Sequence, residues 1–366
     1  MKKLLVGLFA VAMVVAFTAP AMAEWNFYGS ARMTTFYEID DNDATDDRTS
    51  LTWNKQGNSR FGAKVKANDN GIGGRLETGM GTDNKVSVRL INGTWDFGGG
   101  TLLLGQDYTP SCSGNAWISN QVWGTDNDLI WYGMPYIGRK PQIKLKVGTF
   151  SVALIQPNTP LLPGYVGGAD TVGGTEVATI PMLELSYELK TDMFFFRPYA
   201  GYNTYEIEQT DGKDESINAW LGGFTFGVTP GAFYVKGGAF YSLNPGAYGV
   251  SMETGQSTAY DQATRNILEV NAWGGQLLAG FKISDTVTVE TGGGFASYDQ
   301  DNPDEDILDV LDRDADATDW SVYLNASITL APGFFVVPEF GFRDREDIGD
   351  NNNDVTYIGA KWQINF

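Results

Sequence analysis

The sequence predicts an all-β protein, a transmembrane antiparallel β-barrel, and three observations predict it. Segments of about ten residues alternate apolar and polar side chains, tight and long turn segments take turns along the chain, and the last strand, Val355 to Phe366, is alternating and aromatic. Hydrocarbon offers no partner to backbone N–H and C=O groups, so strands of this kind must close on themselves and leave no open edge.

The first residues read as a secretory signal. Lys2 and Lys3 precede an apolar stretch from Leu4 to Phe17 and the small-residue site Ala21-Met22-Ala23. That stretch is shorter than the roughly 20 residues a membrane-crossing helix needs. The expected organisation is a cleaved signal peptide over 1–23 and a single barrel domain over 24–366, placed in the bacterial cell outer membrane.

In the first strand Trp25, Phe27, Gly29, Ala31, Met33, Thr35, Tyr37 and Ile39 share one face, while Asn26, Tyr28, Ser30, Arg32, Thr34, Phe36 and Glu38 share the other. The last strand repeats the pattern, with Ile358, Ala360, Trp362, Ile364 and Phe366 against Gly359, Lys361, Gln363 and Asn365. Tight turns at Gly98-Gly99-Gly100, Thr229-Pro230-Gly231, Ser284-Asp285 and Pro332-Gly333 interleave with long polar segments at Asp40 to Arg48, Gln300 to Asp319 and Asp344 to Asp354. These are the short periplasmic turns and long outer loops of a barrel, and sixteen strand-like segments can be counted. Trp25, Tyr28, Trp53, Trp95, Tyr187, Tyr199, Trp220, Trp320, Tyr357 and Trp362 are candidates for the aromatic girdles at the two interfaces.

Composition excludes several functions. The chain has 25 Lys and Arg against 45 Asp and Glu, and without Lys2 and Lys3 the balance is (25 − 2) − 45 = −22. Nucleic acid is therefore not an expected partner, since phosphate binding needs clustered cations. There is no histidine, which removes the commonest general base and most catalytic zinc sites, so no enzyme, metal or cofactor is expected. Cys112 is the only cysteine; it can form no internal disulfide and has no histidine to activate it. Asp350-Asn-Asn-Asn-Asp354 lacks the glycine and bidentate glutamate of a calcium loop, so the acidic segments read as solvated outer loops facing lipopolysaccharide.

The cations have a pattern. On the second strand Arg60, Lys64 and Lys66 share one face and Phe61, Ala63 and Val65 the other, and Arg32 joins them from the neighbouring strand. Lys140, Lys144 and Lys146 repeat this opposite Ile143, Leu145 and Val147. The same parity turns Arg139 the wrong way, unless a bulge or loop end intervenes. A basic inner wall follows.

Ser59-Arg60-Phe61-Gly62-Ala63-Lys64, the turn Asn68-Asp69-Asn70-Gly71, and then Gly74-Arg75-Leu76-Glu77 resemble the second and third strands of general Gram-negative porins. Gly93-Thr94-Trp95-Asp96-Phe97-Gly98 and Leu104-Gly105-Gln106-Asp107-Tyr108-Thr109-Pro110 are similar to the fourth and fifth strands, which lead into the family's constriction loop. The resemblance implies a homotrimer of 16-stranded barrels in outer-membrane lipid, each a water-filled channel for passive diffusion of small hydrophilic solutes and narrowed by an inward-folded third loop. It matches Arg60 to an arginine of the basic wall and Arg139 to a second one beyond the loop. Two departures stand out: Gln106 occupies a position where the family has arginine, and the acidic motif of the constriction loop is missing between Ser111 and Tyr136. Asp126 and Asp128 are the only acids there, so a field between them and Arg60 and Arg139 is the expected constriction. The same loop holds Trp117, Trp123, Trp131, Tyr132 and Tyr136, and this density motivates an alternative: a substrate-selective channel using the aromatic-rich loop 116–136.

Overall fold

The computed structural model describes residues 23–42, 45–67, 71–82, 84–115, 118–124, 126–160, 174–209, 214–250, 259–260, 267–300, 316–345 and 353–366. Residues 1–22 of the segment read as a signal peptide lie outside them, as do Trp117 and most of two acidic segments, 301–315 and 346–352. No helix among the described residues is long and apolar enough to cross a membrane. The described chain is built almost wholly of strands.

Sixteen strands are wound in chain order, each antiparallel to the next. They are β1 (Ala23–Asn42), β2 in two segments (Thr45–Lys55 and Ser59–Ala67), β3 (Ile72–Met80), β4 (Val86–Asp96), β5 (Thr101–Tyr108), β6 (Arg139–Val147) and β7 (Phe150–Ile155). Then follow β8 in three segments (Gly174–Val177, Met182–Tyr187 and Leu189–Lys190), β9 (Phe194–Gln209), β10 (Glu215–Val228), β11 (Phe233–Leu243) and β12 (Val270–Lys282). The last four are β13 (Val287–Gln300), β14 (Asp316–Ala331), β15 (Phe334–Arg345) and β16 (Asn353–Asn365).

β1 closes the sheet. It pairs with β2 on one side and with β16 on the other, from Ser30 opposite Asn365 to Asn42 opposite Asn353. Phe366 completes the seam: its N–H donates to Gly29 C=O at 3.1 Å, and its own C=O accepts from Gly29 N–H at 2.7 Å. The terminal strand therefore removes both edges that lipid would not tolerate.

The alternation read from the sequence sorts the two faces. Phe27, Phe61, Ile143, Trp220, Ile358, Trp362 and Phe366 are exposed on the outside, whereas Thr34, Phe36, Gln142 and Lys361 are buried inside. Parity also corrects the girdle. Trp25, Trp53, Trp95, Tyr187, Trp220, Trp320 and Trp362 face out, but Tyr199 and Tyr357 are buried inside and Tyr28 hydrogen-bonds inward to Glu77. A second correction concerns Asp40 to Arg48. Pairing continues through Asp40 opposite Arg48 to Asn42 opposite Thr45, so this segment is mostly a strand hairpin.

The interior is filled unevenly. After β11 the chain turns inward through a 3₁₀ turn, Pro245–Tyr248, whose four residues are all buried. Asn158 donates its side-chain amide to Gly246 C=O and Ala247 C=O, and Tyr248 donates to Ala219 C=O. Together with the long segment between β5 and β6, this packs apolar side chains such as Ile118, Met134, Tyr199, Leu221 and Phe240 into one cluster on the β8–β13 side. Charged side chains, Arg60, Arg75, Glu77 and Arg89, gather on the β2–β4 side.

Candidate functional site

The segment 109–138, between β5 and β6, folds into the barrel and runs along its inner wall. Its acceptors are carboxylates on the wall. Ser111 N–H donates to Glu184 of β8 at 2.8 Å, and Arg197 of β9 donates to Pro110 C=O at 2.7 Å and to the Ser113 hydroxyl. Further round, Asn120 donates both its backbone N–H (2.6 Å) and its side-chain amide (2.7 Å) to Glu290 of β13, whose oxygens also accept from Tyr234 and Tyr323. Val122 and Trp123 donate consecutive N–H groups to Glu339 of β15, at 2.8 and 2.9 Å. Such charge-assisted bonds are shorter and stronger than neutral ones, and they satisfy loop donors that would otherwise be stranded away from water.

Beyond Trp123 the polarity reverses, because the loop now supplies the acid. Asp126 bonds Arg32 of β1, Lys361 of β16 at 3.0 Å and the Asn58 amide at 3.0 Å. Burial would raise the Asp126 carboxyl, but Lys361 and Arg32, with the Asn58 hydrogen bond, hold it below the ordinary aspartate range. The return limb lies flat on the wall. Tyr132 C=O comes within 1.9 Å of where a Cβ on Gly294 would sit, so only glycine fits there. Cys112 is a packing residue: fully buried, its thiol pushed up to about 12 by burial and by Glu184.

The facing wall is built around one buried acid. Glu77 of β3 takes Arg75 at 2.8 Å, Arg89 at 2.8 Å, Arg60 at 3.7 Å and the Tyr28 hydroxyl at 2.8 Å. Arg89 escaped the sequence reading because strict alternation puts it on the lipid face with Ile91. A bulge decides otherwise. Glu77 pairs with Leu90 and Thr78 with Val88, which leaves Arg89 as the extra residue of β4; Val88 and Ile91 face out while Arg89 and Leu90 turn in. Gln106 holds this bulge by donating to Val88 C=O and Arg89 C=O at 3.0 and 2.9 Å.

Between wall and loop lies a 490 Å³ cavity, lined by Arg32, Arg60, Arg89, Arg139 and Lys361 on the basic side and by Ile130, Trp131 and Tyr136 on the loop. Arg139 reaches it as the first residue of β6. Gly138 before it takes φ +82°, a left-handed turn that frees Arg139 from the parity of the strand. The structure thus brings Arg32, Arg60, Arg139 and Asp126 together. Asp128 opens the 3₁₀ turn Asp128–Trp131, and its side chain lies outside the described residues. The five lysines of the predicted basic wall do not line the cavity. Lys64 sits over the Tyr28 ring, Lys140 bonds Asn158, Lys144 pairs with Asp107, and Lys66 and Lys146 are exposed near the ends of their strands. Asp126 touches Arg32 directly, so the expected open gap between loop acid and wall cation is a closed contact at this point.

Residues 10–141 match the family model of Gram-negative porins. The match spans a little over a third of the chain. No curated protein sequence matches it. Among solved structures the chain is similar to the outer-membrane channel DcaP of Acinetobacter baumannii (TM-score 0.72, 16% identity, 95% of this chain and 99% of that one). It is similar also to the trimer form of OmpT of Vibrio cholerae (TM-score 0.57, 14% identity, 94% and 99%). The anion-selective porin of Comamonas acidovorans gives a TM-score of 0.57 at 13% identity, over 94% of this chain and 100% of that one. At these identities the neighbours establish the fold.

Two outcomes follow. Glu339→Ala strands the N–H groups of Val122 and Trp123, at about 1–3 kcal/mol each. A lower unfolding temperature of the detergent-solubilised barrel and a larger, noisier single-channel conductance are expected. Because the Asp126 carboxyl is held low, its contact with Arg32 and Lys361 contributes stability above the ordinary aspartate range and loses it as pH falls through the lower folded-state value. Thermal unfolding of wild type and Asp126→Asn, followed against pH, should differ at neutral pH and converge in acid.

Proposed function

We propose that the chain is an outer-membrane porin that passes small hydrophilic solutes by passive diffusion, without chemistry, and favours anions at its narrowing. The observation that carries this is the charge of the cavity. Five cations line it, and the acids facing them are Asp126 in the lining and Glu77 directly behind, so 5 − 2 = +3. The chain as a whole carries −20. Charges more than about 8 Å away are screened at physiological ionic strength, so the cavity outweighs the distant acidic segments for an ion inside it. The anion-selective porin of Comamonas acidovorans shares the architecture. We further propose export on a cleaved signal over 1–23, contact of the acidic outer segments with lipopolysaccharide, and assembly as a homotrimer, in keeping with the trimer form of the OmpT neighbour.

Reversal potentials of the purified protein in a potassium chloride gradient test the anion preference. Wild type is expected to favour chloride, and Arg139→Glu, which takes the cavity from +3 to +1, to move the reversal potential toward zero. A cation preference in wild type would reject the proposal. Cross-linking in native membranes tests the trimer separately.

A further inference from the structure

The cations of the cavity are not equivalent. Arg32 and Lys361 are both engaged by Asp126, and Arg60 and Arg89 both meet Glu77. Among the described residues Arg139 has no acidic partner. Its guanidinium lies over the Tyr108 ring at 5.5 Å, and its Nη1 is buried without any hydrogen bond. A stranded guanidinium nitrogen is costly unless an anion takes it, and the planar fork of arginine suits a carboxylate.

The surface beside it is not polar. Trp131 and Tyr136 stand edge to face with ring centroids 5.5 Å apart; both are half-buried and both line the cavity, with Ile130 next to them. A purely hydrated ion gains nothing from such a wall. A solute that joins an anionic group to an apolar body gains from both sides at once. The volume of 490 Å³ falls within the range of small-molecule sites and exceeds what a bare inorganic ion needs.

We propose that Arg139, Trp131 and Tyr136 form a binding station for small organic carboxylates with an aromatic or aliphatic body. This rests on the reading of the chain as an open channel. Arg139 takes the carboxylate, and Trp131 and Tyr136 take the body. The station must be weak enough to release its guest, as conduction requires.

The test is current block in planar bilayers by sodium benzoate, with sodium acetate and benzyl alcohol as controls for charge and ring. Benzoate is expected to block saturably at about tenfold lower concentration than acetate, and benzyl alcohol not to block. Arg139→Gln should raise the half-blocking concentration of benzoate at least several-fold, and Trp131→Leu should narrow the gap between benzoate and acetate. Heat-modifiable migration on gels confirms that each variant is a folded barrel. Equal block by benzoate and acetate, or block by benzoate that ignores Arg139→Gln in a folded barrel, overturns the station. Chloride preference without benzoate discrimination overturns the station and leaves the anion preference standing. No stepwise conductance at all overturns both.

Discussion

The structure depends on a set of wall carboxylates that receive backbone N–H groups from a loop crossing the barrel interior. Glu184, Glu290 and Glu339 stand on strands spread over half the circumference, and each takes a different stretch of the segment between β5 and β6. A loop in the middle of a wide barrel has no sheet ladder of its own. Without these acceptors its donors would face either a low-dielectric wall or bulk water, and nothing would fix its height or path.

That clamp determines where the channel can be. The loop lies flat against β8–β15, aided by glycine at 294, and fills that side together with the inward turn Pro245–Tyr248. The space left over adjoins the strands that carry Arg32, Arg60, Arg89 and Lys361. Loop position and pore charge thus have one cause. With the anchoring acids on the wall, the loop itself needs few, and the missing acidic motif between Ser111 and Tyr136 loses its puzzle. The loop acid Asp126 acts as a latch on β1 and β16, the two strands that close the barrel.

Much of the fold was legible in the sequence because period-two alternation is a local property. Strand number, the tight turns and the meeting of Trp25 to Ile39 with the last strand could all be read from it. Site geometry was legible only where parity holds. Arg60 and Arg32 follow their strands into the lumen. Arg89 does not, because its orientation comes from a bulge whose cause, the Gln106 amide, lies on the next strand. Lys361 was placed on the inner face, but its contact with Asp126 joins positions far apart in sequence. The roles of Glu184, Glu290 and Glu339 were equally hidden, since an isolated inward glutamate in a strand looks like any other lumen residue until the loop arrives.

Hydrogen–deuterium exchange of the folded protein, read at the amides of Ser111, Asn120, Val122 and Trp123, tests the clamp most directly. Protection comparable to that of the barrel strands is expected at all four, with Val122 and Trp123 losing it in Glu339→Ala while Ser111 keeps it. Exchange of Val122 and Trp123 in wild type as fast as in an exposed turn such as Ser284-Asp285 would contradict the account.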